Sequence, residues 1–155
     1  MPNHTETHSM SSENEQSPNY QRGVNLVREM LGEAFLNGML SAASSGGFAA
    51  DAATIALESA FGAVWSRPGL ERKERSLVTI GILVGMGKPN ELKNHVRAAL
   101  NNGLTVTELQ EALIQAIPYC GFPCVAEALE ATVAVLRERG LVGDNVKTAT
   151  DRGML

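Results

Sequence analysis

The sequence has few of the residues that metal and redox sites require. Its 155 residues include 2 cysteines and 3 histidines. Two cysteines do not make a disulfide scaffold. His4 and His8 fall in a polar leader, so His95 is the one histidine in the part expected to fold. Because a single histidine without clustered ligands does not hold a metal ion, we predict no metal site.

Long apolar runs and an excess of basic residues are missing as well. No run reaches the roughly 18–20 apolar residues of a membrane span, and no charged start followed by an apolar stretch marks a secretory signal. The formal net charge of −4 opposes a broad basic surface for nucleic acid. The sequence therefore predicts a cytoplasmic protein whose partners include neither a membrane nor nucleic acid.

Aromatic residues make up only 5% of a chain that is 44% hydrophobic, so the core must be mostly aliphatic. Ala, Leu, Val and Gly dominate, which favours closely packed helices over a sheet of β-branched strands. The length suits one domain with a real core. We predict a disordered leader at residues 1–19, a helical domain at 20–143 and a loose polar tail at 144–155.

Apolar residues recur at three- and four-residue steps in about six segments, which predicts an all-α, single-domain bundle. Pro89 suits the first turn of a helix, and Thr105 followed by Glu108 forms a capping box. The predicted helices are Tyr20 to about Leu40, Phe48–Trp65, Glu71–Met86, one that opens at Pro89, one that opens at Thr105, and Cys124–Glu138.

His95 is the strongest candidate for a catalytic residue. Histidine is the side chain best suited to proton transfer near neutral pH. Glu91 lies four residues earlier, which on a helix stacks the two side chains on one face and lets the carboxylate orient the imidazole. The alternative is an ordinary surface histidine near a glutamate that stabilises the first turn of its helix.

Three arginines are candidates for binding a substrate carboxylate. Arg75 precedes the apolar part of its helix, where its side chain can bend over a pocket and form a bidentate pair. Arg67 and Arg97 are further candidates, whereas Arg72 and Lys73 fit a solvated charge run.

Three residues near the last helix junction could also serve the site. Tyr119 can hydrogen-bond a substrate or simply cap the junction. Cys120 could act as an acid or nucleophile, and one helical turn could allow a disulfide with Cys124. No basic neighbour activates either thiol, and small cysteines in apolar helical settings are mostly packing residues.

The stretch Trp65–Pro123 resembles the carboxymuconolactone decarboxylase family. Its pieces W-x-R-P-G-L, R-S-L-V-T, E-L-x-x-H-x-R-A-A and Y-C-G-x-P occur in the expected order and separations. The resemblance extends over roughly Tyr20 to Leu136. It implies an all-helical fold shared with the alkylhydroperoxidase-D group, usually built into trimers or hexamers.

The resemblance also implies a cofactor-free acid–base enzyme that acts beside a carbonyl of a small cyclic lactone or enone, with decarboxylation as the expected reaction. An alternative is an isomerase of fungal polyketide rings, because the same fold family includes such enzymes. The stretch Cys124-Val125-Ala126-Glu127 departs from the small residues and Asn that decarboxylases tend to carry. This altered pocket wall, with Glu127 as a candidate contact, favours isomerisation.

Two readings from other classes remain open. The redox branch of the fold uses C-x-x-C followed by His, whereas Cys120 and Cys124 here are separated by three residues and no histidine follows. A thiol-based peroxidase partner would need both cysteines to be reactive. A helical assembly module without a ligand would tolerate changes at Glu91 and His95.

Overall fold

The computed structural model describes residues 16–154, and this part of the chain is built from helices without a β-strand. The prediction of an all-α bundle is confirmed. The α-helices are α1 (Pro18–Leu31), α2 (Glu33–Ser44), α3 (Ala50–Ile55), α4 (Arg72–Gly85), α5 (Pro89–Asn101), α6 (Val106–Cys120) and α7 (Phe122–Glu138). A π-helix (Ala56–Trp65) continues α3, and a 3-10 turn spans Thr150–Arg152.

The first predicted helix is two helices in the structure, so that prediction was wrong. Gly32 adopts φ of +87° between α1 and α2. A residue with positive φ cannot continue a right-handed helix, and glycine reaches this conformation without a steric cost. α1 begins at Pro18, with the Ser17 hydroxyl accepting a hydrogen bond from the backbone N–H of Tyr20 at 3.2 Å.

The π-helix packs directly against the backbone of α1. A Cβ added at Gly62 would lie 1.9 Å from the carbonyl oxygen of Asn19, and one added at Gly23 would lie 1.9 Å from that of Leu57. The two helices can therefore approach this closely only because each presents a glycine to the other. This contact fixes the end of the π-helix, where Trp65 lies.

The buried apolar residues form three clusters, and α5 contributes to two of them. Leu92, Val96 and Ala99 of α5 belong to a large aliphatic cluster shared with α4, α6 and α7. Ala98, on another side of α5, packs with Leu26 and Met30 of α1. A third cluster joins α1, α2 and the π-helix. Because α5 contributes to the first two of these clusters, a side chain at the edge of its buried face lies at the boundary between them.

Two predicted helix starts are confirmed. Pro89 occupies the first turn of α5. Thr105 caps α6: its hydroxyl accepts the backbone N–H of Glu108 at 3.1 Å, and its own N–H donates to the Glu108 carboxylate at 2.9 Å. Lys73 of α4 pairs with the same carboxylate at 2.7 Å. Together these bonds lower the pKa of Glu108 to about 2.

The tail packs on α7 instead of extending loosely as predicted. Arg137 donates to the carbonyl of Val146 and pairs with Asp151. The backbone N–H of Thr150 donates to Glu130 at 2.9 Å, and Thr148 is buried. The predicted leader lies mostly outside the described residues, which begin at Gln16. Among the described residues, no helix is long and apolar enough to cross a membrane.

Candidate active site

His95 lies at the edge of the buried stripe of α5. Val96 and Ala98 follow on the same helix and are fully buried, each in a different cluster. The His95 ring is only half-buried. Glu91 is exposed one turn earlier on the same helix. The structure therefore places the predicted pair where a side chain can meet both the core and a ligand.

The electrostatic environment of His95 combines two opposing effects. Burial lowers the pKa of the imidazole, and the nearby Glu91 carboxylate raises it by a smaller amount. The net result is a pKa below the ordinary 6.5. Near neutral pH the ring is therefore uncharged, which is the form that can accept a proton.

One ring nitrogen of His95 has no fixed partner. Nδ1 is buried and makes no hydrogen bond to any of residues 16–154. A buried polar atom without a partner is uncommon in folded proteins, and such atoms occur where ligands bind. His95 is thus a half-buried, neutral base with one unsatisfied nitrogen.

Trp65 is a site residue that sequence reasoning missed. Its indole and the His95 ring form an offset, near-parallel pair, with the ring centroids 6.2 Å apart and the planes at 19° to each other. Trp65 is the chain's one tryptophan and lies two residues before Arg67, where the break Arg67-Pro68-Gly69 begins. The clue in the sequence was that Trp65 ends a predicted helix and begins the motif W-x-R-P-G-L.

Arg75 is bound to the backbone of Arg67, in the loop that follows Trp65. Nη2 of Arg75 donates to the carbonyl oxygen of Arg67 at 2.7 Å, two residues after Trp65. Nε of Arg75 is buried and has no partner in the described part of the chain. One N–H of a fixed guanidinium is therefore free to bind an anion beside the loop that follows Trp65.

Arg97 is engaged elsewhere. Its guanidinium pairs with the Glu138 carboxylate through two hydrogen bonds of 2.6 and 3.2 Å, which lowers the pKa of Glu138. Asn94 accepts a third bond at 3.3 Å. This set of bonds joins α5 to the end of α7, so Arg97 is occupied as a structural ion pair.

The other predicted residues line two different crevices. Tyr119 and Cys120 line an open groove of about 400 Å³ between α4 and α6, whose remaining walls are Leu77, Gly81, Ala112, Gln115 and Ala116. Cys124 and Glu127 line a narrow crevice with Lys88 and Leu92. His95 belongs to neither set. A wall shared by these residues and His95 stays a prediction.

The cysteines and the acidic residues do not form a further centre in the described region. Cys120 and Cys124 are both free thiols and half-buried. No group of three or more His, Cys, Asp or Glu residues there is arranged to hold a metal ion.

The fold and site define an all-α protein with a half-buried histidine and a glutamate one helical turn apart. The sequence model of the carboxymuconolactone decarboxylase family matches residues 50–134. The chain is 37% identical to 4-carboxymuconolactone decarboxylase of Acinetobacter baylyi over 82% of its own length and 93% of that protein's. It is 36% identical to nitrosuccinic acid decarboxylase of Metarhizium robertsii, over 77% of its own length and 82% of that protein's. The chain belongs to the carboxymuconolactone decarboxylase family.

Proposed function

We propose that this protein is an enzyme of the lyase class that decarboxylates a small organic acid by acid–base catalysis. The observation that carries the proposal is the His95–Glu91 pair, a half-buried neutral imidazole with a carboxylate one turn away and an unpartnered buried nitrogen. The names of both relatives support decarboxylation. The expected absence of metal and organic cofactor is part of the proposal.

The two relatives' names also indicate which acids to test. One acid carries a lactone carbonyl and the other a nitro group, and both groups withdraw electrons. When CO2 leaves such an acid, the electron pair of the broken carbon–carbon bond can delocalise into that group. We infer that the substrate is a small carboxylic acid with an electron-withdrawing group placed to accept this pair, a cyclic lactone or enone being the first choice.

His95 supplies the proton that completes the reaction. Loss of CO2 leaves a carbanion or enolate, which must gain one proton at carbon. The neutral ring of His95 first takes one proton, from solvent or from the carboxyl group of the bound acid, and the imidazolium so formed donates this proton to carbon and returns to the neutral ring. The Glu91 carboxylate stabilises the imidazolium during this cycle, since an opposite charge favours the charged form.

Arg75 binds the anionic substrate in this proposal. Its free Nε–H and its position beside the Trp65 loop suit a carboxylate or an enolate oxygen. Arg67 contributes its backbone carbonyl, which holds the guanidinium in place. Arg97, Tyr119, Cys120, Cys124 and Glu127 have no role in this scheme.

Ring isomerisation would use the same base, and the test below distinguishes it. The sequence feature that favoured isomerisation was the stretch from Cys124 to Glu127, and those two residues line a crevice that does not include His95. We therefore place decarboxylation first. The cytoplasmic location stays a prediction from the sequence.

The test is NMR of the purified protein in D2O with 4-carboxymuconolactone, nitrosuccinic acid and a dihydroxanthone-type enone. We expect one of the two acids to lose CO2 and gain one deuterium at carbon. His95→Gln should lower kcat/KM by roughly 10²–10⁴-fold, the usual contribution of general acid–base catalysis. Asn94→Ala is the matched control, because Asn94 lies on the same helix and its side chain bonds only to Arg97 among the described residues.

A shifted double bond in the enone with CO2 retained would replace decarboxylation by isomerisation. Equal turnover by wild type and His95→Gln would refute the role of His95. Turnover lost on replacing Cys120 or Cys124, but not His95, would favour the thiol-based alternative.

We also propose that the protein forms a homo-oligomer, a trimer or hexamer, through the exposed face of α4. Val78, Ile82 and Met86 recur one turn apart on this helix and are 55%, 55% and 60% exposed. The groove between α4 and α6 lies beside this ridge and has small residues, Gly81 and Ala112, in its wall. The ridge of one copy can pack into the groove of the next, and a head-to-tail contact of this kind can close into a ring of three.

Light scattering after size-exclusion chromatography tests the assembly. Ile82→Glu should dissociate it, because the charge would be buried in the interface. Ile55→Glu is the matched control, since Ile55 is 59% exposed on α3, away from α4. A monomeric wild type, or dissociation by the control alone, would refute an interface on α4.

A further inference from the structure

Building on the proposed function, we propose that Trp65 is a positioning residue that holds the His95 ring in its catalytic orientation by stacking on one face. The two rings lie with their centroids 6.2 Å apart and 19° from parallel. Offset, near-parallel aromatic rings at this separation attract each other beyond the burial of their surfaces. Neither the proton transfer nor the binding of the acid requires Trp65 to contact the substrate.

The stack matters because no hydrogen bond from Nδ1 to the described residues restrains the ring. A catalytic histidine is commonly oriented by a hydrogen bond from one ring nitrogen to a third group. Here Nδ1 makes no such bond to any residue from 16 to 154. Glu91 acts on His95 through its charge. The plane of the ring is therefore set by packing, and Trp65 is the aromatic surface on which it packs.

Trp65 is itself well fixed. It packs against the cluster of Leu26, Met30 and Ala98, which joins α1 and α5. The π-helix that ends at Trp65 is held against α1 through the glycine contacts described above. A rigid support of this kind is what keeps a catalytic group in its productive geometry.

Glu91 is the charged group that acts on the pKa of His95, with a smaller effect than burial, and several charged groups on the neighbouring elements are engaged elsewhere. On α7, Glu138 is paired with Arg97. On α1, Glu29 is paired with Arg72 of α4. Also on α4, Arg75 is bound to the carbonyl of Arg67. Lys88, just before α5, and Glu127 of α7 line the separate crevice.

The experiment compares Trp65→Leu, Trp65→Phe and Phe61→Leu in the full-length protein. Leucine keeps an apolar side chain but removes the ring, and phenylalanine restores a ring. Phe61, one turn earlier on the π-helix, packs on the same cluster and provides the matched control. Each variant is assayed for kcat and KM and for the NMR titration of the His95 ring.

We expect Trp65→Leu to lower kcat by roughly 10–100-fold with little change in KM, because a small misplacement of a catalytic group has effects of this size. Trp65→Phe should recover most of the loss. In the wild type, nuclear Overhauser contacts should join the indole and imidazole protons. In Trp65→Leu the His95 ring signals should broaden or shift, and its pKa should move towards 6.5 as water reaches the open face.

Unchanged kcat and unchanged His95 signals in Trp65→Leu would overturn the proposal. An equal loss in Phe61→Leu would also overturn it, because the effect would then reflect general packing. If the wild type turns over neither acid, the proposed function fails, but the NMR contacts and titration still decide whether Trp65 orients His95.

Discussion

The contact between the π-helix and α1 gives the sharpest prediction about the support of the site. In Gly62→Ala, the new Cβ would lie 1.9 Å from the carbonyl oxygen of Asn19 and 2.6 Å from its carbon. Real Cβ atoms do not come closer than 3.0 Å, so the two backbones must separate by about 1.1 Å at this point. The obstacle is backbone, which cannot rotate away as a flexible side chain can.

Gly62→Ala should therefore be strongly destabilising. Overpacking a core usually costs about 1–3 kcal/mol, and a clash with backbone belongs at the upper end, about 3 kcal/mol. For a protein of this length, this corresponds to a fall in Tm of roughly 6–12 °C. Because Trp65 ends the same π-helix, its contact with His95 should loosen as well, and its fluorescence emission should change.

The assay is urea unfolding and thermal melting at a fixed protein concentration, with Gly38→Ala as the matched control. Gly38 is a helical glycine of α2 with nothing within 4 Å of its added Cβ. Alanine there should stabilise the protein by about 0.5–1 kcal/mol, since it restricts the unfolded chain without a clash. If Gly62→Ala were as stable as Gly38→Ala, with unchanged tryptophan emission, the close approach of α1 and the π-helix would be refuted.

Two further perturbations test the site and the fold. The pKa of His95 is lowered in the folded state, so below pH 6.5 the unfolded chain binds a proton that the native ring does not. The free energy of unfolding therefore falls as the pH drops from 6.5 towards the folded pKa. His95→Gln should remove this part of the pH dependence of the urea midpoint, measured above about pH 5, where carboxylates stay ionised. If the urea midpoint changed equally with pH in wild type and variant, a lowered pKa would be contradicted. Thr105→Ala should cost about 1 kcal/mol through loss of the α6 cap, while the neighbouring exposed Thr107→Ala should change stability little. Equal thermal midpoints for these two variants would show that the cap contributes nothing.

Helix starts that depend on residues a few positions apart could be predicted from the sequence. Pro89 at a first turn and the reciprocal bonds of Thr105 and Glu108 involve residues a few positions apart, and both are present as predicted. The break at Gly32 was missed because glycine is tolerated in a helical pattern, and only its positive φ ends the helix. The π-helical hydrogen bonding of Ala56–Trp65 leaves no clear mark on the spacing of apolar residues.

The candidate site also has features that the sequence shows and others that depend on how the helices pack. His95 and Glu91 could be chosen from the sequence because their relation is one helical turn. Trp65 could not, since its contact with His95 depends on how the π-helix, α1 and α5 pack together. Arg75 and Arg97 were both candidates from the sequence, yet one keeps an unpartnered Nε and the other is bound by Glu138.

The sequence by itself therefore determined the all-α class, most helix positions, the His95–Glu91 pair and the resemblance that the family match confirmed. These features depend on local periodicity, capping and short motifs. Only the tertiary structure decided that Trp65 pairs with His95, that Nε of Arg75 has no partner among the described residues, and that Tyr119, Cys120, Cys124 and Glu127 line other crevices. The physical reason is that these relations arise between residues far apart in the chain, whose distances are set by the packing of whole helices.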